Sequence, residues 1–386
     1  MKTWQTLFTA ACILGGISAA SATLAQAQAV EDDGDCDDVI APDSEDGVFY
    51  GANSQLNCNA ALANQHTLIY QSDVIRNIVG RRLITPPFIQ DITPAGLAYD
   101  SQAAAQNVLT GDGSFQIVPT ADTAAAAAPV RKWNAWADAK LSWIDPGDIV
   151  APTDGNLANL SAGVDYKFTD RFVFGILASY ETTDLDTPAF LASTETDGFG
   201  GGAYVGVTLT DNIVFSGMLT GTTIDTDSEF LGAASDIDSD RIQASAGVTG
   251  YWYFGKTRLS PSTTVAWSKE WQDEFTDSLG AFSPDQTIET AVLSLGNQLG
   301  HTFTLANGQT IEPWAGALFD WTFVNQVHTD GFSTTDLNDA YDLRLQSGLI
   351  WTIATNAQLS LTGEISGLLM PDNDIYSGQA NLAIQF

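Results

Sequence analysis

The chain has 386 residues, a formal net charge of −33 and only 16% charged residues. The acidic balance excludes nucleic acid and anionic lipid as partners held by bulk electrostatics, and the charged fraction falls below the ~25% of an ordinary soluble domain. No stretch approaches the roughly 18 consecutive apolar residues of a helical span, which leaves membrane-crossing strands open.

Residues 1–29 read as a signal peptide. Lys2 supplies the positive start, Leu7 to Ala20 the short apolar run, and Ala25-Gln26-Ala27 and Ala27-Gln28-Ala29 two small-x-small cleavage sites. Export through the secretion translocon into an oxidising compartment follows. There Cys36 and Cys58 are expected to form a disulfide. It would close a loop of about 20 residues, worth roughly 3 kcal/mol in the chain-entropy view.

Residues 30–130 read as a short passenger-like or periplasmic segment. It opens with the acidic run Glu31 to Asp38. The spacing of Leu62, Ile69, Val74, Ile75, Ile78 and Val79 then predicts a helix near 62–82. Gly80 with Arg81 and Arg82 marks its end, Pro86-Pro87 bars continuation, and a linker follows.

From residue 131 to Phe386 the texture is strand. In Ala158 to Phe168, the residues Ala158, Leu160, Ala162, Val164, Tyr166 and Phe168 alternate with Asn159, Ser161, Gly163, Asp165 and Lys167. Short polar turns at 169–171, 210–212, 255–257, 306–308 and 354–356 alternate with longer acidic links near 145–156, 182–197, 224–240, 269–286, 325–339 and 370–374. Five short and six long connections separate 12 strands. Aromatics gather at strand ends: Trp133, Phe168, Phe172, Phe254, Phe303 and Phe386 toward the short turns, Tyr180, Trp267 and Trp321 toward the long links. Two aromatic girdles flanking an apolar band are the mark of a membrane barrel. The expected fold is therefore all-β, a 12-stranded antiparallel up-and-down transmembrane β-barrel with a short, partly helical N-terminal segment.

The segment Gly163-Val164-Asp165-Tyr166-Lys167-Phe168-Thr169-Asp170-Arg171, followed by Gly175, resembles the second hairpin of autotransporter β-domains. The Gly-rich stretch Asp197 to Val207 and the alternating last strand ending on Phe386 resemble the same family, and the likeness runs from Trp133 to Phe386. The resemblance implies an outer-membrane barrel that carries an N-terminal passenger across the membrane, often with a helix left in the pore. It also implies a last strand read by the barrel assembly machinery, here through Leu382, Ile384 and Phe386. The chain departs from the family pattern at Ile384, where an aromatic is frequent, and at Asn381, where Gly is common.

Chemistry-bearing motifs are sparse, and no catalytic residue or cofactor is assigned. Asp277-Ser278-Leu279 has no preceding Gly and no His placed as its base. His301 falls on an outward face, His66 in the helical segment, and His328 beside Asp330 in a long link. Asp225, Asp227 and Glu229 alternate on one arm of a link, with Asp236, Asp238 and Asp240 on the other. Converging arms could offer calcium its oxygen ligands, against the plainer reading of solvated loop charge. The expected function is translocator and anchor for the N-terminal segment, as a monomer in outer-membrane lipid of a Gram-negative bacterium. A passive pore or structural barrel with a periplasmic segment is the alternative, and an outer-membrane hydrolase a third.

Overall fold

A computed structural model describes residues 47–84, 108–109, 115–116, 131–146, 153–188, 191–329, 335–336, 340–369 and 373–386. Among these residues, twelve long strands follow one helix in chain order. The helix, α1, spans Gly47–Leu83. The strands are β1 Trp133–Pro146, β2 Asp154–Thr169, β3 Phe172–Thr187, β4 Ala192–Thr210, β5 Ile213–Phe230 and β6 Ala233–Gly250. They continue as β7 Thr257–Gln272, β8 Gln286–His301, β9 Thr310–Thr329, β10 Ala340–Ala354, β11 Ala357–Ser366 and β12 Asn373–Gln385.

Each strand pairs antiparallel with the next, and β12 pairs with β1, so the sheet closes on itself. Closure satisfies every ladder donor and acceptor without an exposed edge, which a hydrocarbon surround demands. The seam is fixed at its end by Phe386, whose N–H donates to the Trp133 carbonyl at 3.0 Å while Trp133 N–H donates back at 3.1 Å. Leu382 and Ile384 lie opposite Ala137 and Ala135. With Phe386 they form an outward, exposed row.

Alternation sorts the side chains as the sequence predicts. Leu160, Ile176, Leu219, Ile242, Val265, Leu299, Leu345 and Leu361 are exposed on the outer wall. Asp138, Lys140, Asp165, Arg241, Asp320, Asp342, Arg344 and Glu364 are buried inside. Exposed apolar outside and buried polar inside is the inverse of a soluble barrel and the arrangement that lipid requires. At the short-turn end an aromatic run links Trp133 to Tyr166, Tyr166 to Phe168 and Phe168 to Phe172, with centroids 4.9, 4.9 and 5.6 Å apart. Toward the other end Trp321 packs on Phe323 and Tyr341 at 5.6 and 6.2 Å.

Two expectations are corrected. The links near 182–197 and 224–240 are mostly strand: β3 and β4 are separated by residues 188–191 alone, and β5 and β6 by Leu231-Gly232. Their Asp and Glu residues alternate with Thr, Ser and Ile, and that period of two extends the hairpins. The tight turn places Leu231 at φ 50° and Gly232 at φ 86°, the left-handed pair that a two-residue hairpin needs. The helix also starts fifteen residues before the expected 62, and its 37 residues reach about 55 Å.

Candidate functional site

The lumen holds α1. Its residues from Asn59 to Leu83 are buried on nearly every side, with Leu68 and Val79 fully so. An isolated helix with such mixed faces would have no reason to be covered all round. Here the wall supplies both kinds of partner.

At the long-link end, Ala61 packs on Ile288 and Val327, and Leu62 and Ala63 pack against Ile144, Leu157, Leu185 and Ile375. Asn59 donates to Thr194 Oγ1 at 3.3 Å. Midway, Thr67 donates to Asn159 at 3.1 Å, Tyr70 to the Asp138 carbonyl at 3.3 Å, and Thr220 to Gln71 at 3.1 Å. Toward the short turns, Val74, Ile75, Ile78 and Val79 meet Trp136, Val173, Leu177, Tyr204, Val214 and Met218. Two glycines permit the closest approaches. A Cβ on Gly80 would stand 1.8 Å from Tyr251 Oη, and one on Gly206 would stand 2.4 Å from Val79.

Charge pins the helix at two levels. Asp73 accepts from Arg344 Nη1 at 3.0 Å and pairs with Arg76 at 3.1 Å. Arg344 also binds Asp320 and, at 3.0 Å, Glu364, which takes Lys140 at 2.7 Å. At the short-turn end Arg82 Nε donates to Asp165 at 2.7 Å, and its Nη2 donates to the Lys132 carbonyl at 2.8 Å. Asp165 further accepts from Asn134 at 2.7 Å and from Tyr204 at 3.0 Å, while Trp136 donates to Tyr204 at 2.7 Å. Gly175 leaves the room in which the Tyr204 ring lies. Buried ions of this kind are tolerated only when paired and hydrogen-bonded. Other pairs brace the wall itself, among them Arg241–Glu181 at 2.5 Å and Arg258–Glu312 at 2.7 Å.

The remaining candidate residues fall elsewhere. Asp225 stands opposite Asp238 and Asp227 opposite Asp236 on the exposed outer arm of β5 and β6, while Glu229 faces Ala234 and Asp240 faces Thr223. Among the described residues no group of three or more His, Cys, Asp or Glu side chains is gathered as a metal would need. Asp225 and Asp227 are both pushed above the usual carboxylate range, first by hydrogen bonds shared with Asp238 and Asp236. Cys36 lies outside the described residues, and Cys58 is on α1.

Ser278 Oγ accepts from the Ala234 N–H at 3.0 Å, and Asp277 closes a turn by accepting from Leu279 and Ala281. His328 pairs in register with Thr287 on β8, and Asp330 lies outside the described residues. His301 is exposed, 4.8 Å from Phe303, and His66 is buried in the lumen.

Sequence reasoning missed Asp73, Arg76 and Gly80 as helix-docking residues. A period count reads only the apolar face of α1, and nothing local announces that its polar face meets a polar wall. The basic pair Arg81-Arg82 carried a signal, since it faces Asn381 and Asp165 on the wall.

The autotransporter beta-domain family model matches residues 135–366. No curated protein sequence matches the chain. Among solved structures, the chain is similar to the translocator domain of autotransporter NalP from Neisseria meningitidis, at TM-score 0.55 and 12% identity over 66% of this chain and 88% of that one. It is similar to the β-domain of the Bordetella autotransporter BrkA at TM-score 0.55 and 15% identity, over 66% of this chain and all (100%) of that one. The transport unit of AIDA-I from Escherichia coli matches at TM-score 0.52 and 13% identity, over 68% and 92%.

Proposed function

Because the chain belongs to the autotransporter β-domain family and is an outer-membrane translocator barrel, we propose that its cargo is the segment N-terminal to α1. In this reading α1 is the trailing part of that cargo, left across the lumen as its anchor. The observation that carries the reading is the polarity of the helix. Asn59 binds β4 near the long-link end, and Arg82 binds Asp165 and the Lys132 carbonyl near the short turns. Short turns face the periplasm and longer connections the outside. A chain entering α1 therefore comes from outside, and residues 30–46 would stand at the cell surface.

The same reading gives residues 85–130 to the periplasmic side, where they would join the end of α1 to β1. It makes the exported piece far shorter than a conventional passenger, and pairs Cys36 with Cys58 as a staple at the outer end of α1. The barrel would work as a monomer, since its single seam is closed within one chain, and the row Leu382, Ile384 and Phe386 would serve the assembly machinery. The chain acts as a translocator with no catalytic step. In support, Ser278 already serves the Ala234 backbone.

An epitope tag inserted beside Gly34 tests this. Antibody binding to intact cells is expected at the level reached after permeabilisation. Binding only after permeabilisation would place the segment in the periplasm and favour a structural barrel instead.

A further inference from the structure

The short-turn mouth of the barrel is a cavity of about 1150 Å³ beneath the last turn of α1. Six of the chain's 14 Lys and Arg residues line it: Arg76, Arg81, Arg82, Arg131, Lys167 and Arg258. Against them stands one acid, Glu312. In a protein of net charge −33 this is a concentrated inversion of sign.

Pairing removes three of the six from consideration. Arg82 is held by Asp165, Arg258 by Glu312 and Arg76 by Asp73. Among the described residues none of the other three makes an ion pair with a buried carboxylate, although Asp138 and Glu312 act on Arg81 from beyond pairing distance. Arg81 is half-buried, and its hydrogen bond among the described residues goes to the neutral Asn381, at 3.1 Å. Arg131, among the described residues, binds the backbone and hydroxyl of Thr355. Lys167 reaches Asp170 at 3.5 Å, where the carboxylate is 96% exposed and screened by water.

Two neutral donors also face the cavity, beside one acceptor unpartnered among the described residues, Asn134 Oδ1. Trp314 and Thr249 both face the cavity and are 8% and 6% exposed, yet Trp314 Nε1 and Thr249 Oγ1 have no partner among the described residues. A buried donor without an acceptor costs about 1–3 kcal/mol, and a half-buried guanidinium held by a neutral amide rather than an ion pair adds to that cost. One occupant relieves both costs: an acceptor-rich anion.

We propose that this vestibule binds a small, multiply charged anion bearing phosphate or carboxylate groups. Arg81 provides the central fork, Arg131 and Lys167 the rim charge, and Trp314 and Thr249 neutral donors. Three cations match a multivalent anion better than a single carboxylate, and the volume suits a ligand the size of a sugar phosphate or an oligocarboxylate. Bulk repulsion from the acidic outer arms does not reach this end, because screening confines it to about 8–10 Å. The inference goes beyond the export reading and does not depend on which side of the membrane holds residues 30–46.

The ends of the 85–130 segment, Ile84 and Arg131, both line this cavity. That segment contains Asp91, Asp100, Asp112 and Asp122 and no Lys or Arg. The anionic groups can therefore come from solution or from the chain itself, and the test separates the two.

The mature chain in detergent micelles is titrated with inorganic pyrophosphate and with citrate by calorimetry at low salt. Saturable one-to-one binding is expected, weakened at least tenfold by Arg81→Gln, largely kept by Arg81→Lys and reduced by added NaCl. Arg131→Gln, at the exposed rim, gives a smaller loss without touching the helix packing. Replacing the four linker aspartates by Asn distinguishes the sources. Tighter pyrophosphate binding would identify the chain's own carboxylates as the resident anion, and unchanged binding would identify a solute, with the site standing in both cases. No saturable heat in the native and four-Asn chains, or equal affinity in Arg81→Gln and Arg131→Gln, overturns the proposal.

Discussion

At Gly80 two opposing effects of one methyl group can be weighed. Gly→Ala inside a helix ordinarily gains about 1 kcal/mol. Here the added Cβ would meet Tyr251 Oη at 1.8 Å and Cζ at 2.7 Å, so ring or helix must move. Overpacking costs about 1–3 kcal/mol, and the net is destabilising. Gly80→Ala is expected to lower the thermal unfolding midpoint of the barrel, and to lower it less when the same change is made in a Tyr251→Ala background. A midpoint raised by Gly80→Ala alone would show that the helix does not press on this wall.

Arg344 is the other residue whose removal should be felt throughout the lumen. It satisfies Asp73 from the helix and Asp320 and Glu364 from the wall. Arg344→Gln would leave three buried carboxylates short of counter-charge, and breaking such a cluster from one side costs about 3–5 kcal/mol. Chemical unfolding in micelles should show a loss of that order. A loss below about 1 kcal/mol, the size found for exposed pairs, would mean that the cluster is open to water.

At the scale of elements, the β5–β6 hairpin has 18 residues in each arm, against the roughly 9–11 a tilted strand needs to cross a bilayer. Its outer part stands beyond the membrane and carries Asp225 against Asp238 and Asp227 against Asp236. Like charges directly opposite weaken a ladder. Because the shared hydrogen bonds raise the pKa of Asp225 and Asp227, the folded hairpin holds their protons more tightly than the open one. Its extra stability is therefore fully present below the ordinary carboxylate pKa and is lost as pH rises through the raised values. Hydrogen exchange of residues 224–240, corrected for intrinsic rates, should show more protection at pH 4 than at pH 7. The difference should vanish in Asp225→Asn with Asp227→Asn, and persistence there would trace it elsewhere.

The two classes of element were unequally legible in the sequence. The outer wall was, because lipid on one side and polar lumen on the other impose a period of two that runs without interruption from Ala158 to Phe168. The outer hairpins were not, because Asp-rich strand arms in water look like loop by composition. Their pairing comes from alternation with Thr and Ile and from a turn in which Leu231, rather than Gly, takes a positive φ. The existence and end of α1 were legible from Leu62 to Pro87, but its setting was not. A helix with Asn64, Thr67, Gln71 and Asp73 among apolar neighbours reads as half-exposed until the polar wall that covers it is known.

For the whole molecule, the account turns on one arrangement: a closed 12-stranded wall whose lumen is occupied by the chain's own helix, packed from Asn59 to Leu83 and charge-paired at Asp73 and Arg82. Closure and plugging make different predictions about ions. A 12-stranded barrel is wider than the 8-stranded type that its own side chains fill, so an empty one would conduct. The direct measurement is single-channel conductance of the mature chain in planar bilayers, beside a variant lacking residues 47–84. The account predicts a silent intact chain and steady conductance steps in the shortened one. Porin-like steps from the intact chain, unchanged by removing the helix, would contradict it.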